Sequence, residues 1–425
     1  MIDLNAILRI ERLGARGEGI SQGPKGLIFT PFALPGETIR AEVDGERGKL
    51  VEILAPSPDR VAAPCPHFTF CGGCAVQGLA EPAYRDWKRN LVVAALSNAG
   101  LASEVAPLVA AWGEGRRRVT FHSRNDQRGE PHVGFMQARS HRLFELDSCP
   151  ILSAELAGAL PAARRVADML KSLDKPLDFV VTASLNGLDL NIRGCGPLDF
   201  TLEQELIAAA QALDLARISN HGAPLVERRA PDLPIGRARV APPPGAFLQA
   251  TSAGEEALAR LVVDAVAGAK KTVDLFCGIG TFALRLAETS DVLAVESDAG
   301  ALAACLRGGR ATPGLRGLKG EARDLFSRPL RAEELAHVEA LVFDPPRAGA
   351  EVQARELAKS AVPTVIGVSC NPQTFARDAK ILVAGGYGLE RVTPVDQFLF
   401  SPHVELLGVF RKTSTRPARK RRLLG

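Results

Sequence analysis

The stretch TVDLFCGIGT, residues 272–281, decides the fold. Its first half is apolar and partly β-branched, as a buried strand requires. Its second half is a turn in which Gly278 and Gly280 let the backbone come close to a bound ligand. FALRLAE follows with helical character, so the segment runs strand, turn, helix. A lone glycine loop is weak evidence, but the alternation recurs in DVLAVES (291–297), ALVFDPP (340–346) and TVIGVSC (364–370). That pattern predicts a mostly parallel α/β sheet covered by helices over residues 236–425, entered through the proline-rich APPPGAFLQAT (241–251). Ligands of such sheets collect at the carboxyl ends of the strands, where Gly278, Glu296, Asp344 and Cys370 fall.

Each of these positions carries a chemistry. Glu296 ends the second strand, where a carboxylate can accept both hydroxyls of a ribose, and Asp324 in GEARDLF is placed one strand later to meet an adenine amino group. The expectation is a nucleoside cofactor. Two prolines make the turn Asp344-Pro345-Pro346-Arg347 stiff and project Asp344 into the crevice. Asn-Pro-Pro versions of this turn suit amino groups, whereas an aspartate accepts from the imide N–H of a uracil. Cys370, in Ser369-Cys370-Asn371-Pro372, sits where strand becomes loop and is the nucleophile candidate. Carbon 5 of uracil is a poor nucleophile until a thiolate adds to carbon 6. The resulting enolate can attack an activated methyl, and a base must then remove the carbon 5 proton. Glu405 in SPHVELLGVF is the candidate base.

Upstream, residues 1–60 show short alternating strands broken by glycines and predict a small barrel. Ala55-Pro56-Ser57-Pro58 marks a boundary, and residues 61–235 mix strands such as FVVTAS with helical stretches, as an α/β middle domain would. That domain opens on CPHFTFCGGC. Cys65, Cys71 and Cys74, with the distant Cys149, form a four-thiolate set that suits tetrahedral zinc or a cubane iron–sulfur cluster, and spacing alone leaves the two open. Cys195 and Cys305 read as structural residues.

With 425 residues the chain exceeds one core, and its 46% hydrophobic and 24% charged content is that of a globular protein. No apolar run reaches the roughly 18–20 residues of a membrane span, and the N-terminus lacks signal-peptide character, so a cytoplasmic location without membrane association is expected. The net charge of +4 is modest but is gathered at Arg116-Arg117-Arg118 and in the tail Arg416-Pro417-Ala418-Arg419-Lys420-Arg421-Arg422, which suits phosphate attraction or simple solvation.

Together, CPHFTFCGGC, FLQAT, DLFCGIGTF, DPPRAG, SCNPQTFARD and DQFLFSPHVELLGVF resemble the bacterial RNA uridine-5-methyltransferases, especially those acting on large-subunit ribosomal RNA. The resemblance covers nearly the whole chain. It implies a class I, Rossmann-like methyltransferase domain and a TRAM-type, OB-like RNA-binding barrel at residues 1–60. It implies Cys370 as nucleophile, Glu405 as base and Asp344 as a uracil contact near the cofactor. It further implies S-adenosylmethionine contacts from Gln249, Phe276, Glu296 and Asp324, and a [4Fe-4S] cluster, rather than zinc, on Cys65, Cys71, Cys74 and Cys149. The family's glycine turn usually carries asparagine where this chain has Thr281, whose hydroxyl stands in for an amide with separate donor and acceptor. The expected substrate is 23S ribosomal RNA and the expected form a monomer. Transfer-RNA methylation at the same carbon and a non-catalytic RNA-binding assembly factor are the competing readings.

Overall fold

The computed structural model describes residues 3–138 and 140–413. The basic stretch 416–422 lies outside the described residues.

Three sheets organise the chain. The first has six strands in the order Asp3–Arg9, Thr38–Asp44, Arg47–Ala55, Gly26–Pro31, Glu18–Gly23 and Arg12–Leu13. Its two edge strands are consecutive in the chain. The Ile10 amide donates to Glu37 and the Glu11 amide to Ile20, so the chain crosses from one edge to the other between these residues and the sheet is rolled. Leu8, Ile10, Ile28, Ala33, Ile39 and Ala41 fill its interior.

The second sheet has seven strands, ordered Leu143–Glu145, Pro131–Met136, Arg118–Asn125, Leu177–Ser184, Gly187–Arg193, Arg217–Asn220 and Ala223–Glu227. All neighbours are antiparallel except Gly187–Arg193 with Arg217–Asn220. The helix Ala159–Leu170 places Ala159, Ala163, Val166 and Leu170 against it, the i, i+4, i+7 spacing of a single buried face.

The third sheet contains Leu318–Ala322, Asp291–Glu296, Lys271–Leu275, Ala340–Phe343 and Thr364–Ser369 in that spatial order, all parallel. Numbered by sequence, this is 3-2-1-4-5. An antiparallel strand, Glu405–Lys412, follows, and then Tyr387–Asp396. Ala340–Phe343 and Thr364–Ser369 are buried throughout because both faces are covered. Val342, Ile366 and Val368 pack into one core, while Leu341, Phe343 and Val365 pack into the other, the period-2 division of a strand.

The expected division at residues 61 and 236 is displaced. The helix Glu81–Asn98 buries Val92, Ala95 and Leu96 in the core that holds Leu341, Phe375 and Leu382. The short strands Glu104–Val105 and Val109–Ala110 pair with Tyr387–Asp396. The hairpin Leu233–Ile235/Ala238–Val240 likewise packs on the third sheet's other core. Residues 81–111 thus extend the third sheet although they precede the second in sequence, because their apolar face matches that core. Among the described residues, no helix is long and apolar enough to cross a membrane.

Candidate active site

The site forms where the parallel strands end. Asn371 caps the helix Pro372–Ala384 by accepting from the Gln373 amide, with Pro372 at its first position. This capping holds Cys370 in the turn between strand and helix. Ser369 pairs with Leu406 in the adjacent antiparallel strand, so the residues one step beyond, Cys370 and Glu405, are neighbours. Asp344 follows the adjacent strand Ala340–Phe343, and the two turns are tied by Asn371 Nδ2 and Thr374 Oγ1, which both donate to the Arg347 carbonyl (3.3 and 3.2 Å).

Burial dominates the electrostatics of these groups. It pushes Asp344 up to about 7, and it pushes Glu405 up to about 8 with help from the charge of Asp344. Burial also pushes the Cys370 thiol up to about 12, with Glu405 and Asp344 adding to the rise and Arg347 opposing it. His403 is pushed down to about 4 by burial and by Arg347, Lys88 and Arg116. It is therefore neutral near neutrality, and its Nδ1 accepts from Arg347 Nη2 at 3.3 Å.

Gln249 lies in this centre. Its Nε2 donates to Asp344 Oδ2 at 3.2 Å. Gln397, which the sequence reading did not single out, donates through Nε2 to Gln249 Oε1 (2.6 Å) and to Glu405 Oε1 (3.2 Å). The loop bearing Gln249 is held by two of the three consecutive arginines, Arg117 and Arg118. Arg117 Nε donates to the Gln249 carbonyl (3.1 Å) and its guanidinium pairs with Glu255, while Arg118 donates to the carbonyls of Ala246 (2.7 Å) and Gly245 (3.2 Å). Arg117 is buried and Arg118 part-buried, so these two charges are spent inside the protein, whereas Arg116 faces the cysteine cavity.

A second missed network sets the segment leading to Glu405. Asp396 is fully buried and accepts from Tyr84 Oη (2.7 Å), Lys88 Nζ (2.8 Å), Trp112 Nε1 (2.8 Å) and the Phe398 amide (3.0 Å). Lys88 also donates to the carbonyls of Phe398 and His403. Phe400, at φ 62°, is clamped from both sides: its amide donates to Tyr84 Oη, and its carbonyl accepts from Ala75 and Val76 beside the cysteine loop.

On the far side of the glycine turn, Glu296 Oε2 accepts from the Gly278 amide (2.9 Å), and its Oε1 accepts from the amides of Ser297 and Asp298. Phe276, at φ 61°, lies 5.6 Å from the ring of Phe326. Asp324 is exposed and accepts from the Phe326 amide and Ser327 Oγ, which hold its carboxyl below its ordinary range. The Thr281 carbonyl accepts from Arg285. Asp274, fully buried at the end of the first strand, was also missed. Its Oδ2 accepts from the Ala283 amide, while Oδ1 has no partner. A Cβ added at Gly278 would meet nothing within 4 Å. Burial pushes the Asp274 carboxyl well up, and its unpartnered oxygen beside an open glycine turn leaves a polar contact and room for a nucleoside-bearing ligand.

Cys65, Cys71, Cys74 and Cys149 line one cavity of about 520 Å³, together with His67, Arg116 and Arg118. All four are free thiols. Burial raises Cys71, Cys74 and Cys149, Cys74 to about 11, and the thiols raise one another. They share a space without converging: among the described residues no three His, Cys, Asp or Glu side chains stand close enough to hold a metal ion. Cys195 and Cys305 are buried, as expected of structural residues.

The 3-2-1-4-5 sheet with its inserted antiparallel strand, and a site built at its strand ends, define a class I methyltransferase. The chain is 22% identical to a transfer-RNA (uracil-54, C5)-methyltransferase of Pyrococcus abyssi solved with S-adenosyl-L-homocysteine, with a TM-score of 0.73 over 96% of this chain and 99% of that one. Residues 328–414 match the family model described as tRNA (uracil-5-)-methyltransferase. An RNA methyltransferase of Brucella suis is 46% identical over 95% of this chain and 97% of its own. The 23S rRNA (uracil(1939)-C(5))-methyltransferase RlmD of Halomonas elongata is 34% identical over 94% and 88%. The chain belongs to the RNA (uracil-5-)-methyltransferases, which are S-adenosylmethionine-dependent enzymes.

Proposed function

We propose that this enzyme methylates carbon 5 of a uridine in 23S ribosomal RNA through a covalent adduct on Cys370, with Glu405 as the base. The observation that carries the reading is the adjacency of Cys370, Glu405 and Asp344 at three neighbouring strand ends. A target uridine flipped from its helix or loop offers its imide N–H to Asp344. Burial, with Glu405 and Asp344 adding to it, pushes the Cys370 thiol up, so it must give up its proton before the sulfur adds to the ring. The Cys370 thiolate adds to carbon 6, and the electron pair of the ring double bond moves toward carbon 5 and the carbonyl. S-adenosylmethionine supplies an electrophilic methyl group. Carbon 5 takes that methyl, and S-adenosylhomocysteine leaves with the sulfur electron pair. Glu405 then removes the carbon 5 proton, and the electrons left behind restore the double bond and expel the thiolate.

Gln249, Phe276, Thr281, Glu296 and Asp324 are the residues we assign to the cofactor, with Asp274 beside them. Cys65, Cys71, Cys74 and Cys149 are the residues that would hold a [4Fe-4S] cluster once drawn together, and a cluster there would tie the 65–74 loop to residue 149. Their common cavity supports this reading. The rolled six-stranded sheet supports a TRAM-like role in RNA binding. The relative from Halomonas elongata, named for 23S ribosomal RNA and aligned over most of both chains, favours that substrate.

The test is to incubate anaerobically purified protein with methyl-labelled S-adenosylmethionine and total RNA lacking 5-methyluridine. Label recovered as 5-methyluridine in large ribosomal RNA is the expected result. Label in transfer RNA overturns the substrate, and no label with cofactor bound overturns the catalytic reading in favour of an assembly factor.

A further inference from the structure

We propose that Gln397 is a positioning residue of the reaction: with Gln249 it forms a one-directional amide relay that holds Asp344 and Glu405 in a fixed relation and keeps Glu405 available as a base. The proposal rests on the reading of Glu405 as base given above.

Direction in the relay is set by a group that cannot reverse. The Ala250 amide donates to Gln397 Oε1 at 2.6 Å, and a backbone N–H can only donate. Gln397 must therefore present its Nε2 hydrogens elsewhere, and they go to Gln249 Oε1 and Glu405 Oε1. Gln249 Oε1 being an acceptor, its Nε2 faces Asp344 Oδ2. Both carboxylates thus receive one amide hydrogen each. Asp344 Oδ1 and Glu405 Oε2 are left for other partners.

The site is built around this arrangement. Gln249 and Gln397 are buried, so neither amide can exchange its partner for water. Gly254 makes room for Gln397: a Cβ at 254 would lie 2.7 Å from Gln397 Cβ and 2.8 Å from its Oε1. Arg117 fixes the other end through the Gln249 carbonyl. The hydrogen bond from Gln397 favours the charged form of Glu405 against burial and the neighbouring Asp344, both of which favour the protonated form.

The test uses Gln397→Met, with Gly254→Ala as a second variant that displaces the amide without removing it, and Glu405→Gln as control. Formation of 5-methyluridine in RNA lacking it is followed from about pH 6 to about pH 10, and the Cys370–RNA adduct is followed on denaturing gels. Losing the amide hydrogen leaves Glu405 protonated to higher pH. The rising limb of turnover should move up by about one pH unit, so that turnover near neutrality falls on the order of tenfold and recovers in base. The adduct should accumulate meanwhile. A limb at the wild-type position, or an equal loss at every pH, would overturn the relay. If Gln397→Met does not fold, the Gly254→Ala profile decides on the same criteria. Full turnover in Glu405→Gln would instead overturn the base assignment, a separate failure.

Discussion

Cys370 and Glu405 stand one step beyond the Ser369–Leu406 pair, on strands that run in opposite directions. Antiparallel register therefore brings together a thiol and a carboxyl 35 positions apart in sequence. In a parallel pair the end of one strand would face the end of the other, and residue 405, which begins its strand, would lie at the wrong edge of the sheet.

If the thiol adds to the ring, Cys370→Ala should lower methyl transfer on the order of a thousandfold or more while leaving S-adenosylmethionine binding unchanged. Calorimetric titration with cofactor and single-turnover assays on RNA check the two halves separately. Retained turnover would exclude covalent catalysis.

Glu405→Gln keeps the size of the side chain and removes its basicity. Release of 5-methyluridine should fall by roughly 10²–10⁴-fold, with a methylated adduct trapped on Cys370. A band that resists denaturation and disappears in the Cys370→Ala/Glu405→Gln double variant is the expected signature.

Asp344 and Glu405 have folded-state pKa values raised from 3.8 to about 7 and from 4.5 to about 8. Between these limits the folded protein holds protons that the unfolded chain has released, so their contribution to stability is full below about pH 4 and is lost as pH rises toward 8. Glu405→Gln should therefore raise the melting temperature relative to wild type near pH 8, and the difference should vanish toward pH 4. Thermal unfolding measured across this range checks the sign.

Lys88 and Asp396 form an ion pair with both side chains fully buried. Lys88→Met leaves the carboxylate without its cation and should cost about 3–5 kcal/mol. Lys88→Met/Asp396→Asn should cost less than the sum of the single changes. A double-mutant cycle by chemical denaturation measures that coupling.

Replacing Cys71 or Cys149 with serine should remove bound iron and its visible absorbance from anaerobically purified protein, whereas Cys195→Ser should leave both intact. Unchanged iron content in the first two variants would remove them from the ligand set.

Strand, turn and helix are local, and their signals lie within a few residues: Gly278 and Gly280 in the first turn, Asp344-Pro345-Pro346 in the fourth, Asn371-Pro372 after the fifth strand. That is why the α/β sheet, its strand-end acids and the candidate thiol could be read from the sequence. Domain limits were less legible, because the helix Glu81–Asn98 has an apolar face but carries no mark of which core it joins. The arginine triplet read as gathered charge, and only the packing reveals that Arg117 and Arg118 hold the Gln249 loop. The sequence by itself determined the strand, turn and helix pattern and where the strand-end acids and the candidate thiol fall in it, since backbone geometry and side-chain functional groups are properties of short segments. Tertiary structure alone decided how they act together. Gln249 meets Gln397 across 148 positions and Lys88 meets Asp396 across 308, and such contacts depend on sheet order and burial, which a linear pattern does not encode.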